Sequence, residues 1–284
     1  GTYALLTDDT GDRSTAVGYS CMEKQNVGDE VTGNTAVGFY AGYNNITGKN
    51  NTYLGSQAGA GGSGTSNSDN TAVGKDAMVA ITTGGGNTIL GATAGDALTT
   101  GDNNTIIGNQ AGTTMALSEE GNVAVGYNSM GLMAEHASSS AINYNVAIGE
   151  DALKGGALAT GEYVLQNVAI GYRTLDGTGG EPQTGTVGIG AEALGGLTTG
   201  TGNTCIGFNS GLSTTTGTNN TSVGYESYGT SAAADCTGSG NTCVGYRSGF
   251  DIEGAGHENT FVGSTSGDAL TTGSDNTCIG FGAD

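Results

Sequence analysis

The chain has 284 residues, with 56 Gly, one Pro and no Trp, and 7 Lys and Arg stand against 27 Asp and Glu for a net charge of −20. Glycine at this level without a strict three-residue period rules against collagen, and the acidic balance rules against nucleic-acid and anionic-membrane partners. No apolar run approaches the roughly 18 residues a membrane-inserted helix needs.

The first residues, GTYALLTDDTG, contain neither a charged n-region nor an apolar h-region, so no signal peptide is expected there. The missing initial methionine reads as a piece of something longer or a processed product, and residues 1–13 read as an N-terminal lead-in. The five cysteines, Cys21, Cys205, Cys236, Cys243 and Cys278, are odd in number and irregular in spacing, unlike a disulfide framework. They do not fix the compartment. Closure of a loop by Cys236 and Cys243 stays open beside the reading of each as a small buried hydrophobe.

From residue 14 onward one phrase returns: GNTAVGFYAG (33–42), DNTAVGKDAM (69–78), GNVAVGYNSM (121–130), GNTCIGFNSG (202–211). Aligned on its glycine it occurs fifteen times, at 18, 38, 55, 74, 91, 108, 126, 149, 171, 190, 207, 224, 245, 263 and 280. Six of the fourteen spacings are 17 residues and none is shorter, which describes a fixed coil with loop insertions. The consensus is N-[TV]-x-[VIL]-G-x-x-[AS]. Residues 14–284 therefore read as one continuous parallel β-solenoid, all-β, of about 15 short coils. A coil of 17 residues cannot bury its own core, whereas stacked coils can.

Each column carries an expectation. The aliphatic residue before the glycine is taken as the core of each coil: Val17, Val37, Leu54, Val73, Leu90, Ile107, Val125, Ile148, Ile170, Ile189, Ile206, Val223, Val244, Val262 and Ile279. The Thr or Val two residues earlier shares its parity in a strand and is expected to face inward with it. The glycine ends the strand at a bend or close approach. The small residue three further on packs inside. The Asn four before the glycine, replaced only by Ser14 and Thr186, is expected to stack as a ladder and satisfy turn backbone groups. LTTGDNNT (98–105), LTTGTGNT (197–204) and LTTGSDNT (270–277) read as tight turns.

Insertions supply candidate recognition loops: MAEHASSS (133–140) with Glu135 and His136, TGEYVLQ (160–166) with Tyr163, and YGTSAAADC (228–236) with Tyr228. Loops on a rigid scaffold are where recognition usually sits, while tolerated drift is the plainer explanation. Aromatic residues follow the glycine in eight copies, from Tyr19 and Phe39 to Tyr246 and Phe281, and suit a subunit interface or a sugar. Neither His136 nor His257 has a zinc-spaced partner. Gly59-Ala-Gly-Gly-Ser-Gly64 matches G-x-G-x-x-G but precedes no expected helix and reads as a loop insertion. Asp69, Asp102 and Asp275 recur in turns, where weak calcium binding competes with ordinary turn chemistry. No catalytic residues, cofactor site or metal cluster is expected.

The phrase N-[TV]-A-[VI]-G-x-x-A resembles the head repeat of YadA-like trimeric autotransporter adhesins and, with its T-T-G turns, the repeats of bacteriophage tail fibres. The resemblance covers Ser14 to Asp284. It implies a left-handed parallel β-roll, a homotrimer and a role in attachment to a host cell-surface glycan or protein. The autotransporter coil is shorter and more regular, and the present stretch shows neither its coiled-coil stalk nor its membrane-anchoring barrel. The expectation is accordingly an extracellular, trimeric fibre-shaft segment of a phage or virus. The head of a bacterial surface adhesin is the alternative, followed by a monomeric ice- or calcium-binding solenoid. An enzyme comes last, since seven basic residues over fifteen coils leave little for a catalytic groove.

Overall fold

A computed structural model describes the chain except for residues 9–12, 29–30, 134–140, 157, 159–160, 180–181, 230–234, 253, 255 and 269. The chain divides into two compact units, Gly1–Tyr144 and Asn145–Asp284. Each is all-β, with no helix among the described residues, and each is a parallel β-solenoid.

In the first unit the strands are β1 (Thr15–Val17), β2 (Thr35–Val37), β3 (Thr52–Leu54), β4 (Thr71–Val73), β5 (Thr88–Leu90), β6 (Thr105–Ile107), β7 (Val123–Val125) and β8 (Ala141–Asn143). From β1 to β7 each pairs in parallel with the next, column on column, Thr15 on Thr35 through to Thr105 on Val123. The second unit contains β9 (Val146–Ile148), β10 (Tyr163–Leu165), β11 (Val168–Ile170), β12 (Gln183–Thr184), β13 (Val187–Ile189), β14 (Thr204–Ile206), β15 (Thr221–Val223), β16 (Thr242–Val244), β17 (Thr260–Val262) and β18 (Thr277–Ile279). There β9, β11 and β13 to β18 stack in the same register. The two insertion strands β10 and β12 form a separate parallel pair, Val164 opposite Gln183.

The parity of the strands is opposite to the one expected. The middle residue of each strand points inward: Ala36, Tyr53, Ala72, Ile89, Ile106 and Ala124 in the first unit, and Ala147, Ala169, Cys205, Cys243 and Phe261 in the second, are all fully buried. The fifteen aliphatic residues read as core point outward. Val17, Leu54, Leu90, Ile148, Ile206, Val244, Val262 and Ile279 are exposed, and Val37, Val73, Ile107, Val125, Ile170, Ile189 and Val223 are half-buried. The Thr and Val column turns outward with them. A uniform column of Val, Ile and Leu resembles a core, but a period of two fixes only which residues share a side and not which side is inside.

The true interior follows a volume rule. Four residues after each anchor glycine from Gly18 to Gly263 the chain has left-handed φ and carries either a glycine or a large apolar residue. Where the middle of the strand is small, this position is large: Ala72 with Met78, Ala124 with Met130, Ala147 with Leu153, Ala169 with Leu175, Gly188 with Leu194, Ser222 with Tyr228. Where the middle is larger, it is glycine: Tyr53 with Gly59, Ile89 with Gly95, Ile106 with Gly112, Cys205 with Gly211, Cys243 with Gly249, Phe261 with Gly267. A Cβ on Gly59 would lie 2.2 Å from Tyr53 Cε1, and one on Gly267 would lie 2.5 Å from Phe261 Cδ1. Between these two facing positions the cross-section admits one large side chain per coil, beside a further buried apolar residue such as Ile81, Leu98 or Met115, and close packing penalises both a second and none there. Gly42 beside Ala36 departs from the rule, and there the Tyr53 ring and Met22 take up the space, at 2.8 and 3.1 Å from where a Cβ would stand.

The anchor glycines explain the stacking. Gly18, Gly38 and Gly55 have φ between 140 and 148°. A Cβ on Gly18 would meet the carbonyl oxygen of Gly38 at 2.2 Å, and the same clash recurs up each unit. Gly1 stands in this column too, 2.3 Å from Gly18 O by the same measure, and Ser20 N–H donates to Thr2 O at 2.9 Å. Residues 1–7, read as a lead-in, thus have the geometry of a coil.

The asparagine ladder forms as expected. Asn34, Asn51, Asn70, Asn87, Asn104 and Asn122 are buried, and each backbone N–H from Asn51 onward donates to the side-chain carbonyl of the Asn one coil before, at 2.9–3.0 Å. The side-chain amide also donates across to a turn carbonyl, as from Asn87 to Gly101 O at 2.8 Å. A second ladder runs Asn203, Asn220, Asn241, Asn259 and Asn276. Buried backbone donors and acceptors that no strand reaches are satisfied in this way.

Candidate interaction face

The outward side of the stacked strands is the most distinctive surface of each unit. Its two columns contain only Thr, Val, Ile and Leu, with no charged residue, in a chain carrying 34 charged side chains (7 basic, 27 acidic). Val17 is 54% exposed, Leu54 and Leu90 47% each. Contiguous apolar exposure of this kind marks an interaction surface. The Thr residues, expected inside, line this face.

The aromatic column borders the stripe. Tyr19 stacks on Phe39 with centroids 5.7 Å apart and planes at 16°. In the second unit Phe208, Tyr225 and Tyr246 form a continuous stack at 5.2 and 5.7 Å. The ring spacing comes from the strand spacing, since each ring sits at the same place in successive coils. Tyr225 has a ring against each face, so its rim and hydroxyl are what remain exposed. Sugar binding on aromatics uses the ring face; rims and hydroxyls suit a protein neighbour.

The other candidate residues separate. Glu135 and His136 lie outside the described residues. Tyr163 is exposed, on β10. Tyr228, read as a recognition residue, is fully buried: it fills the coil whose strand centre is Ser222, donates to Gly238 O at 3.0 Å and accepts from Asn241 Nδ2 at 3.1 Å. Burial pushes its phenol well above the ordinary value. The loop signal misleads here because the start of an insertion is still coil.

Cys205, Cys236 and Cys243 are buried, with no disulfide between Cys236 and Cys243. Burial pushes the Cys205 thiol up to about 12, and a thiol so raised is inert. Cys236 Sγ donates to Ile252 O at 2.9 Å within a core of Tyr228, Cys243, Ile252 and Phe261. Gly59–Gly64 forms turn and loop, with no helix after it.

Of the turn aspartates, Asp69 and Asp102 border one open notch of about 560 Å³ beside Gly85 and Gly86, while Asp275 lies in the other unit. Asp102 Oδ1 accepts from Gly85 N–H at 2.6 Å, and Asp69 Oδ1 accepts from Asn50 Nδ2 at 3.0 Å. Both carboxylates thus serve the turns themselves. Among the described residues no three His, Cys, Asp or Glu side chains gather as a metal would require. His257 Nδ1 accepts from Ser239 N–H at 2.9 Å, continuing the turn edge.

Sequence reasoning missed the side groove of the second unit, lined by Arg173, Asp176, Glu192 and Leu212 and, further along, by Asn209, Glu226 and Phe250. Its signal was present as glycine at positions 195 and 229, five residues after an anchor, where neighbouring coils carry Asp176, Leu212 and Phe250. No protein-family model matches the chain, and no curated protein matches it at a significant level.

Proposed function

We propose that the chain is an extracellular, structural segment of a homotrimeric fibre that holds or displays a host-attachment function, built as a left-handed β-roll. The observation that carries the reading is the uncharged outward stripe of Thr, Val, Ile and Leu, bordered by stacked aromatic rims. A chain of net charge −20 repels copies of itself over most of its surface. This stripe is where copies could meet without that repulsion, and burying it would remove a contiguous apolar exposure from water. The resemblance of the repeat to trimeric adhesin heads and phage tail fibres points the same way. A virion fibre is favoured over an adhesin head because the coils are 17 residues or longer and irregular.

The test is the solution mass by light scattering, with a calcium chelator as control. The expected value is about three times the 27.8 kDa chain mass, unchanged by chelator. Val125→Asp, on the outward face, should lower that mass. A stable wild-type monomer would overturn the trimer. It would favour a second reading, because outward Thr columns on a regular parallel sheet are what an ice-binding surface needs, and thermal hysteresis of the monomer would then decide for it.

A further inference from the structure

The side groove of the second unit has an arrangement that the outward stripe does not explain. It lies along the columns two and five residues after the anchor glycine. The first column runs Arg173, Glu192, Asn209, Glu226, Arg247. The second runs Asp176, Gly195, Leu212, Gly229, Phe250. The two glycines leave a depression on each side of Leu212, of about 200 and 90 Å³. Gly195 and Gly229 lie two coils apart, so the depressions repeat at roughly 10 Å, twice the strand spacing.

Each depression has a carboxylate on its wall and an arginine in or beside it. In one, Arg173 Nε holds Asp176 Oδ2 at 2.7 Å, with Glu192 beside them. In the other, Glu226 and Phe250 form the wall, and Arg247 beside them has Nε 2.9 Å from Glu226 Oε2, too poorly aligned for a hydrogen bond, and its guanidinium 3.9 Å over the Phe250 ring. Asn209 Oδ1 at the same place is buried and has no hydrogen-bond partner among the described residues. Leu212 forms an apolar wall common to both.

We infer that this groove binds a neutral oligosaccharide, one sugar unit in each depression. The inference rests on the attachment reading and names the chemistry of its ligand. A ligand here must offer hydroxyl donors to a carboxylate oxygen and to the Asn209 carbonyl. It must also accept from a guanidinium, and lay an apolar face on Leu212. A pyranose ring does all four. Its neutrality follows from the charge of −20, which repels anions. The Arg173–Asp176 hydrogen bond and the stacking of Arg247 on Phe250 restrict these side chains before any ligand arrives, so less side-chain entropy is lost on binding. A linear chain of sugars would engage both depressions, and the second contact adds through effective concentration.

The experiment is saturation-transfer NMR on the whole chain with neutral tetrasaccharides of glucose, galactose, mannose and N-acetylglucosamine. A sialylated tetrasaccharide is the anionic comparator. At least one neutral tetrasaccharide should receive saturation from the wild type, and the sialylated one should not. Gly229→Leu fills one depression, with space for its Cβ since nothing stands closer than 3.8 Å. It should reduce the transfer at least fivefold, and so should Asn209→Ala, at a left-handed position (φ 54°) that neighbouring coils fill with Glu192 and Glu226, should the first variant fail to fold. Silence from all four neutral ligands, transfer to the sialylated one, or undiminished transfer in both variants would each overturn the site. The fibre reading is judged separately by solution mass: a trimeric mass in wild type and variants keeps it whatever the NMR gives.

Discussion

Two neighbouring coils of the first unit fill one cross-section in opposite ways. In the coil anchored by Gly74, Ala72 sits at the strand centre and Met78 reaches in from the far side. In the next, Ile89 occupies the strand centre and Gly95 faces it. Ala72 and Ile89 are register partners, so the backbones superpose while the large side chain changes sides. Met78 and Gly95 share nearly the same left-handed φ, 54 and 51°. What the fold conserves is therefore the filled volume of each coil, and the residue type in any single column is free to vary provided its opposite number compensates.

The strongest way to break this comparison is to put large side chains at both facing positions of one coil. A Cβ at Gly95 would already lie 2.8 Å from Ile89 Cδ1. Gly95→Met should cost about 4 kcal/mol from overpacking and backbone strain. Ile89→Ala leaves both facing positions without a large side chain, with Leu98 still buried in the same coil, and should cost about 3 kcal/mol through its cavity. Combining the two recreates the neighbouring coil, and the double variant should return to within about 1.5 kcal/mol of the wild type. Denaturant midpoints of the three variants measure this. Additive losses in the double variant would sink the volume rule.

Much of this was legible in the sequence, and the error was specific. Fifteen anchor glycines, the asparagine column and the small residue at Ala41, Ala58 and Ala77 each have the role their chemistry predicts, because a backbone contact or a ladder permits few residue types. Val17 and its equivalents were misplaced because strand parity has two solutions, and hydrophobicity selects the wrong one when the outward face is itself apolar. The correct solution was also written in the sequence, in the exchange between Tyr53 with Gly59 and Ala72 with Met78. It is a relation between two columns, invisible when each is read alone. Tyr228 went wrong for the same reason: it is the large partner of Ser222. The groove at Gly195 and Gly229 needed a third column, and its ion pairs depend on side-chain directions that spacing does not give.

The asparagine ladder repeats the comparison with smaller effects. It lacks Asn at Ser14 and at Thr186, and only the first gap is repaired. Gln25 reaches in there, donating to Ser14 Oγ at 3.0 Å and accepting from Asn34 Nδ2 at 3.0 Å. At the second, Thr186 N–H donates to Asn167 Oδ1 at 2.9 Å, but Thr186 Oγ1 and Gln183 Oε1 are buried without a hydrogen-bond partner among the described residues. Gln25→Ala should destabilise by about 2 kcal/mol, because it leaves buried groups unpaired. Thr186→Asn should stabilise by about 1 kcal/mol, since it offers Asn203 the acceptor that other coils supply. Thermal unfolding of both variants would show opposite shifts, and a destabilised Thr186→Asn would mean that the coil has adapted to threonine.

The smallest expected effect distinguishes the same two coils by charge. Asp96 follows Gly95 and is half-buried, and Asp76 belongs to the coil before. Burial is the main cause that raises the Asp96 carboxyl above its ordinary value, with backbone hydrogen bonds opposing and Asp76 adding to the rise. Ionising this group is thus harder in the folded chain than in the unfolded one. Below the ordinary value of 3.8 the carboxyl is protonated in both states and nothing is lost. As pH rises from there through the folded value, the unfolded chain sheds its proton first, and folding loses stability until both states are ionised. The sign is opposite to that of a carboxylate held by an ion pair. Asp96→Asn should therefore raise the melting temperature at neutral pH, by roughly 1 °C given the partial exposure. The gain should shrink to nothing as the pH falls below 3.8. A gain that persists in acid would assign the effect to packing of the amide, and a loss at neutral pH would mean that the carboxylate has a favourable contact in the coil.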